Sequence, residues 1–129
     1  PVTLVVLDSG GSTTTAQVNI SVGRNQTPTL GTYANANVAP AAGSIQVTPS
    51  APPADSNNNI SGTGVEPTTL PGGGSVSIDA AGVVTIDIGA ATPTGDYVIR
   101  AGVGDTCGAI ETRQFTLRVT DALFANGFE

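Results

Sequence analysis

Catalysis and metal binding draw on a short menu of side chains, and this sequence offers few of them. It contains no His and no Lys, which removes the commonest general base and the amine of Schiff-base chemistry and leaves Asp, Glu, Tyr and Cys. Asp79 and Asp87 bracket an expected hairpin and could approach one another as the carboxylate pair of a hydrolase must. The competing reading places Asp79 at the start of the turn "DAAG" and Asp87 on a solvated strand face. Asp8, Asp55, Asp105 and Asp121 offer hard oxygen ligands for Ca²⁺, but that ion takes roughly 6–8 oxygens, and no spaced acidic loop supplies them. Because Asp initiates turns, Asp8 and Asp105 read as turn residues.

Cys107 is the single cysteine, so an intramolecular disulfide and a multi-cysteine zinc site are excluded. It falls in the turn "GDTCG", either as an exposed thiol open to an intermolecular disulfide or as an inert one. Asn19, Asn25 and Asn59 each open an Asn-x-Ser/Thr triplet, as glycan acceptors or by chance in an Asn- and Thr-rich chain. The expectation from this inventory is a protein that is not an enzyme and that holds no cofactor and no metal.

The elements that position these residues follow from composition. At 129 residues the chain has room for one ordinary domain of roughly 100–150 residues. Only 11% of residues are charged, against 17 Gly and 9 Pro, which speaks against long helices with salt-bridged faces and for an all-β chain. The net charge is −6, and the basic residues are Arg24, Arg100, Arg113 and Arg118. Phosphate neutralisation needs clustered cations, so neither nucleic acid nor an anionic membrane surface is an expected partner. No apolar run approaches the roughly 18 residues needed to span a bilayer. The lysine-free, Thr-, Ser-, Asn- and Gly-rich composition suits a secreted protein whose leader has been removed.

Alternation of apolar and polar residues marks the strands. Residues 1–22 read as a hairpin: Val2, Leu4 and Val6 share a face, Ala16, Val18, Ile20 and Val22 share another, and "DSGG" turns the chain between them. "GRNQTP" at 23–28 reads as a linker. Seven short strands follow, "TLGTYA", "GSIQVTP", "NNISGTG", "SVSID", "VVTIDI", "DYVIRAGV" and "TRQFTLRV", separated by turn-forming segments at the spacing of a sandwich or barrel. Residues 49–74, with five prolines, are loop or edge strand.

The first hairpin repeats the last one. A shift of 97 positions places Asp8 on Asp105, Gly11 on Gly108, Thr15 on Thr112, Gln17 on Gln114 and Val22 on Val119 without a gap. The alternation stays in phase, with Val18, Ile20 and Val22 falling on Phe115, Leu117 and Val119. At Val5 and Leu7 the later copy has Gly102 and Gly104, so the arm from Leu4 to Leu7 is apolar on both faces, which suits a strand covered on two sides.

The segment "TGDYVIRAGVGDTCGAIETRQFTLRV" resembles the closing strands of bacterial immunoglobulin-like domains, the putative-Ig and cadherin-like modules of surface proteins. Gly95, Tyr97, Asp105, Gly108, Phe115, Leu117 and Val119 carry the resemblance, and "DAAGVVTI" at 79–86 is similar to the preceding hairpin of those modules. It implies an immunoglobulin-like β-sandwich over residues 30–120, a corner tyrosine at Tyr97 and a core position at Phe115. Aromatic platforms for sugar are sparse, with Tyr33, Tyr97, Phe115, Phe124 and Phe128 as the whole set. "LFANGFE" at 123–129 is similar to a short ending of some secreted bacterial proteins, with Phe124 and Phe128 as a sorting signal or as a plug for a groove.

A lone hairpin cannot bury its apolar face on itself. Covering about six aliphatic side chains at roughly 1.5–3 kcal/mol each is worth on the order of 10 kcal/mol, comparable to the stability of a small domain. The host is either the body of the same chain or a neighbouring molecule, by the strand donation that joins pilin subunits. The expectation is an all-β chain in four parts: a donor hairpin over 1–22, a linker over 23–29, the sandwich over 30–120 and a tail over 121–129. Val2, Leu4, Val5, Val6, Leu7, Val18, Ile20 and Val22 are the expected contacts between subunits, and the partner is a head-to-tail homopolymer of the chain itself. The expected role is the subunit of an extracellular bacterial filament at the cell surface. The alternative is an immunoglobulin-like stalk or adhesin repeat of a larger secreted protein, its first residues being the end of the preceding repeat.

Overall fold

The computed structural model describes residues 1–121. A two-stranded sheet comes first, β1 (Val2–Leu7) and β2 (Thr13–Val18), joined antiparallel. Eight further strands follow: β3 (Ala36–Val38), β4 (Gly43–Val47), β5 (Ile60–Glu66), β6 (Thr69–Leu70), β7 (Gly74–Ile78), β8 (Val84–Ile88), β9 (Gly95–Asp105) and β10 (Ile110–Val119). They form two four-stranded sheets, ordered β3-β10-β9-β5 and β4-β8-β7-β6. All pairings are antiparallel except that β3 lies parallel to β10.

The period-two pattern decides which side of each strand is covered. Val84, Ile86 and Ile88 of one sheet meet Ile99, Ala101, Val103, Phe115, Leu117 and Val119 of the other in a single core. The body is therefore a two-layer β-sandwich. Pro28 is fully buried and Thr29 bridges Ala54, so the packed body already includes the last two residues of the expected linker.

Two expectations about strands change. "TLGTYA" is expected as a strand, yet only Thr29 makes a bridge there, and the first strand of the body is β3. The buried side chains there, Leu30 and Tyr33, are three residues apart and so out of strand phase; the Tyr33 ring stacks on Phe115 at 5.4 Å between centroids and its hydroxyl donates to the carbonyl of Gly82. Within residues 49–74 the chain forms β5 and the short edge strand β6. Also, β2 stops at Val18, so Ile20 and Val22, expected in the donor hairpin, lie beyond its strand. The tail expected over 121–129, with Phe124 and Phe128, lies outside the described residues after Asp121.

Candidate functional site

Three hairpins of this chain turn on the same device. Asp8, Asp79 and Asp105 each accept two backbone N–H groups through Oδ1: Gly10 and Ser12, Ala81 and Val83, Cys107 and Ala109, all at 2.9 Å. Three residues on, Gly11, Gly82 and Gly108 take φ of 86°, 81° and 92°, a left-handed conformation that glycine adopts without a Cβ penalty. Turn chemistry thus accounts for Asp8, Asp79 and Asp105.

The likeness between the first and last hairpins extends to register. Val2 faces Val18 as Ile99 faces Phe115, and Leu7 faces Thr13 as Gly104 faces Ile110. Every couple is displaced by the same 97 positions. What differs is cover. Ala101, Val103 and Phe115 are 0%, 1% and 3% exposed, whereas their counterparts Leu4, Val6 and Val18 are 54%, 66% and 46% exposed. Val2, Val5, Leu7, Ile20 and Val22 are exposed as well. Six of the expected contact residues, Val2, Leu4, Val5, Val6, Leu7 and Val18, are thus exposed on a hairpin built like the closing hairpin of the sandwich, and Ile20 and Val22 follow it.

A second feature lies on the outer face of the β3-β10-β9-β5 sheet. Gly62 faces Gly104 and Gly64 faces Gly102 across β5 and β9, a block of four glycines bordered by Ile110 and Thr112 of β10. Together with Val65, Glu66, Arg100 and Val103 most of them line a shallow apolar depression of about 290 Å³. The fold does not demand glycine here. A Cβ at Gly62 or Gly64 would meet nothing within 4 Å, and at Gly102 or Gly104 it would make ordinary contacts of 3.4 Å or more.

The linker is tied to the body by a third feature. Asn25 donates through Nδ2 to Asp105 Oδ2 at 2.7 Å and accepts from Asn59 Nδ2 at 3.2 Å, while the N–H of Gln26 donates to Asn57 Oδ1 at 2.7 Å. Asp105 is 5% exposed, and the Asn25 hydrogen bond, against some desolvation and with help from the N–H groups of Ala109, Cys107 and Gly108, holds its carboxyl below the usual range. Its carboxylate accepts three N–H donors, two at Oδ1 and one at Oδ2, which favours the ionised form.

The remaining candidates are dispersed. Asp79 lies in the turn before β8 and Asp87 next to the far end of that strand, between Ser44 and Ser75. About 13 Å of extended strand separates Asp87 from the turn, more than hydrolytic carboxylate pairs span. Among the described residues no three His, Cys, Asp or Glu side chains come together as a metal site. Cys107 is exposed, with its sulfur 3.5 Å from Asn59 Nδ2. Of the three Asn-x-Ser/Thr triplets, Asn25 and Asn59 are engaged in the linker tie.

Tyr97 stands near the start of β9 and donates its hydroxyl to the carbonyl of Pro93 at 2.7 Å. That is the tyrosine corner of immunoglobulin-like sandwiches, whose central order also recurs here as β4-β8-β7 against β5-β9-β10. The chain has the immunoglobulin-like fold.

No family model matches the sequence, and no curated protein matches it significantly. Among solved structures, a nucleoside hydrolase-related hypothetical protein from Saccharophagus degradans, described as associated with carbohydrate metabolism, is similar over 74% of this chain, with 13% identity and a TM-score of 0.54. The chain spans 26% of that protein's length. The titin M3 domain is similar over 71% of this chain and 95% of its own, with 14% identity and a TM-score of 0.45. A chimeric titin Z1Z2 bearing a KLER peptide from decorin is similar over 76% and 100%, with 14% identity and a TM-score of 0.43.

Proposed function

We propose that the chain is a structural spacer from a tandem array of immunoglobulin-like sandwiches, in which residues 1–22 close the module before it. The observation that carries this reading is the identity of register, turn and glycine conformation between β1–β2 and β9–β10. In β9–β10 that register places Ile99, Ala101, Val103, Phe115 and Leu117 in the core. Their counterparts Val2, Leu4, Val6 and Val18 in β1–β2, and Ile20 just after it, are apolar and exposed, so they fit the core of a sandwich that lacks its last two strands. The sandwich described here has its own closing hairpin in place.

A second reading keeps the hairpin as a donor to another copy in a filament. The apolarity of β1 on both faces, with Val5 and Leu7 opposite Leu4 and Val6, favours it. Against it stands the occupied position of β9–β10, which leaves an incoming equivalent hairpin no vacancy. Both readings place the protein outside the cell, at a bacterial surface, where a lysine-free, Thr-rich sandwich would act mechanically.

The intact mass of the native protein tests the first reading. A chain longer than these 129 residues, with residues 1–22 protected from hydrogen exchange, is the expected result. A native mass equal to that of the 129 residues overturns it. Fibres in negative-stain images that vanish when residues 1–22 are deleted would establish the second reading instead.

A further inference from the structure

The chain is fixed to the body from Asn25 onward, ahead of the buried Pro28. Asn25 lies between the carboxylate of Asp105 and the side-chain amide of Asn59, and the N–H of Gln26 is bound by Asn57. Thr29 then exchanges both backbone hydrogen bonds with Ala54, at 2.7 and 3.0 Å. The partners are themselves held. Asp105 accepts the N–H groups of Cys107 and Ala109, Asp55 accepts the N–H of Asn57, and the carbonyl of Asn59 accepts the N–H of Thr106. A hydrogen bond to a carboxylate is stronger than one between neutral groups, and bonds that share partners reinforce one another.

On the other side of Asn25, the repeat of 97 positions sets where ordered strand would end. In the closing hairpin, β10 runs past Phe115, the counterpart of Val18, to Val119, the counterpart of Val22. Leu117 to Val119 are paired on both sides there, by β3 and by β9. In the first hairpin, pairing reaches only Val18, and β2 stops with it. A preceding module that supplies the missing neighbours carries the strand on to Val22. Gly23 and Arg24 then separate it from Asn25, a span of at most about 7 Å.

We infer that Gly23 and Arg24 are the whole joint between the preceding module and this one, and that Asn25 is the anchor seating that module against the end of the sandwich that carries the 105–109 turn and the 55–59 loop. The inference rests on the tandem-array reading. A joint this short leaves no slack, so the ends of the two bodies meet. The preceding module then turns about two residues instead of the whole expected linker over 23–29, and the array is a stiff row.

Limited trypsin digestion tests the anchor. The chain has no Lys and four Arg, and Arg100, Arg113 and Arg118 lie within β9 and β10, so the folded 129-residue chain is expected to be cut once, after Arg24. Trypsin draws residues on both sides of the bond into its cleft, so the cut requires Asn25 and Gln26 to leave the body, and its rate follows how often they do. Asn57→Ala removes the acceptor of the Gln26 N–H and leaves the cleaved sequence intact; it is expected to speed the cut by about three- to tenfold. Asn25→Ala, measured against an unfolded peptide of its own sequence, is expected to speed it by about tenfold or more, the scale of one lost hydrogen bond to a charged group. A parent chain cut as fast as both variants overturns the inference and leaves the tandem-array reading standing. Hydrogen exchange on the native protein tests the length of the joint, with protection expected up to Val22 and again at Gln26. A native protein longer than the 129 residues in which residues 19–22 exchange freely overturns the two-residue joint. A native mass equal to that of the 129 residues overturns the joint and the tandem-array reading together.

Discussion

Asp8, Asp79 and Asp105 hold three turns by the same two hydrogen bonds, and Asp105 adds a third from Asn25 while lying buried. Its carboxyl is held below the usual range, first by that Asn25 bond, and the carboxyl of Asp96 is lowered by its hydrogen bonds with Arg118. A carboxyl lowered by folding stabilises the folded state above its unfolded pKa, about 4, and that contribution fades as pH falls through the lower folded value. The thermal midpoint should therefore drop as pH is taken below about 4, and Asp105→Asn should flatten that dependence in a midpoint-against-pH series. Tyr33 is held in the opposite sense, its phenol raised by burial and by the nearby charge of Asp79. Tyr33→Phe leaves the carbonyl of Gly82 without this donor, and urea denaturation should show a loss of about 1–3 kcal/mol. The turn role of Asp8 and Asp105 was legible because Asp and Gly three residues apart is a local signal. The tie of Asn25 to Asp105 was not, since 80 residues separate them and an Asn in a linker has no pattern of its own.

At the scale of elements, alternation located the closing hairpin and its earlier copy, because an inward face occupied by Ile, Val, Leu and Phe leaves a period of two in the sequence. "TLGTYA" reads as a strand by composition, but its buried side chains, Leu30 and Tyr33, are three residues apart, and the ring enters the core from irregular backbone. The cluster of glycines escaped notice because it exists only once β5 and β9 are set in register: the sequence places Gly62 and Gly64 in one strand and Gly102 in another without showing that they face each other. The contrast in cover between the two hairpins predicts unequal penalties. Leu117→Ala, at a fully buried position of β10, should cost about 2–5 kcal/mol in chemical denaturation of the chain. Leu4→Ala, on the exposed hairpin, should stay within about 0.5 kcal/mol in the same measurement. Should residues 1–22 lie within a preceding module in the native protein, Leu4→Ala made there would rise to the range of a core truncation. Deleting residues 1–22 should leave the melting midpoint of the remaining sandwich unchanged, since its core draws on nothing before Pro28.

For the whole molecule, the parallel pairing of β3 with β10 decides how the sandwich answers a pull. Leu117 faces Ala36, Arg118 faces Asn37 and Val119 faces Val38, and the N–H of Thr120 adds a bond to the carbonyl of Val38. The chain enters the body ahead of β3 and leaves it after β10, so tension applied at the two ends drags these parallel strands past one another. Their hydrogen bonds are then loaded together, in shear, and must fail as a group before the body can unravel. Should the chain serve as the spacer proposed above, the β3–β10 bonds would resist a pull as a group rather than one at a time.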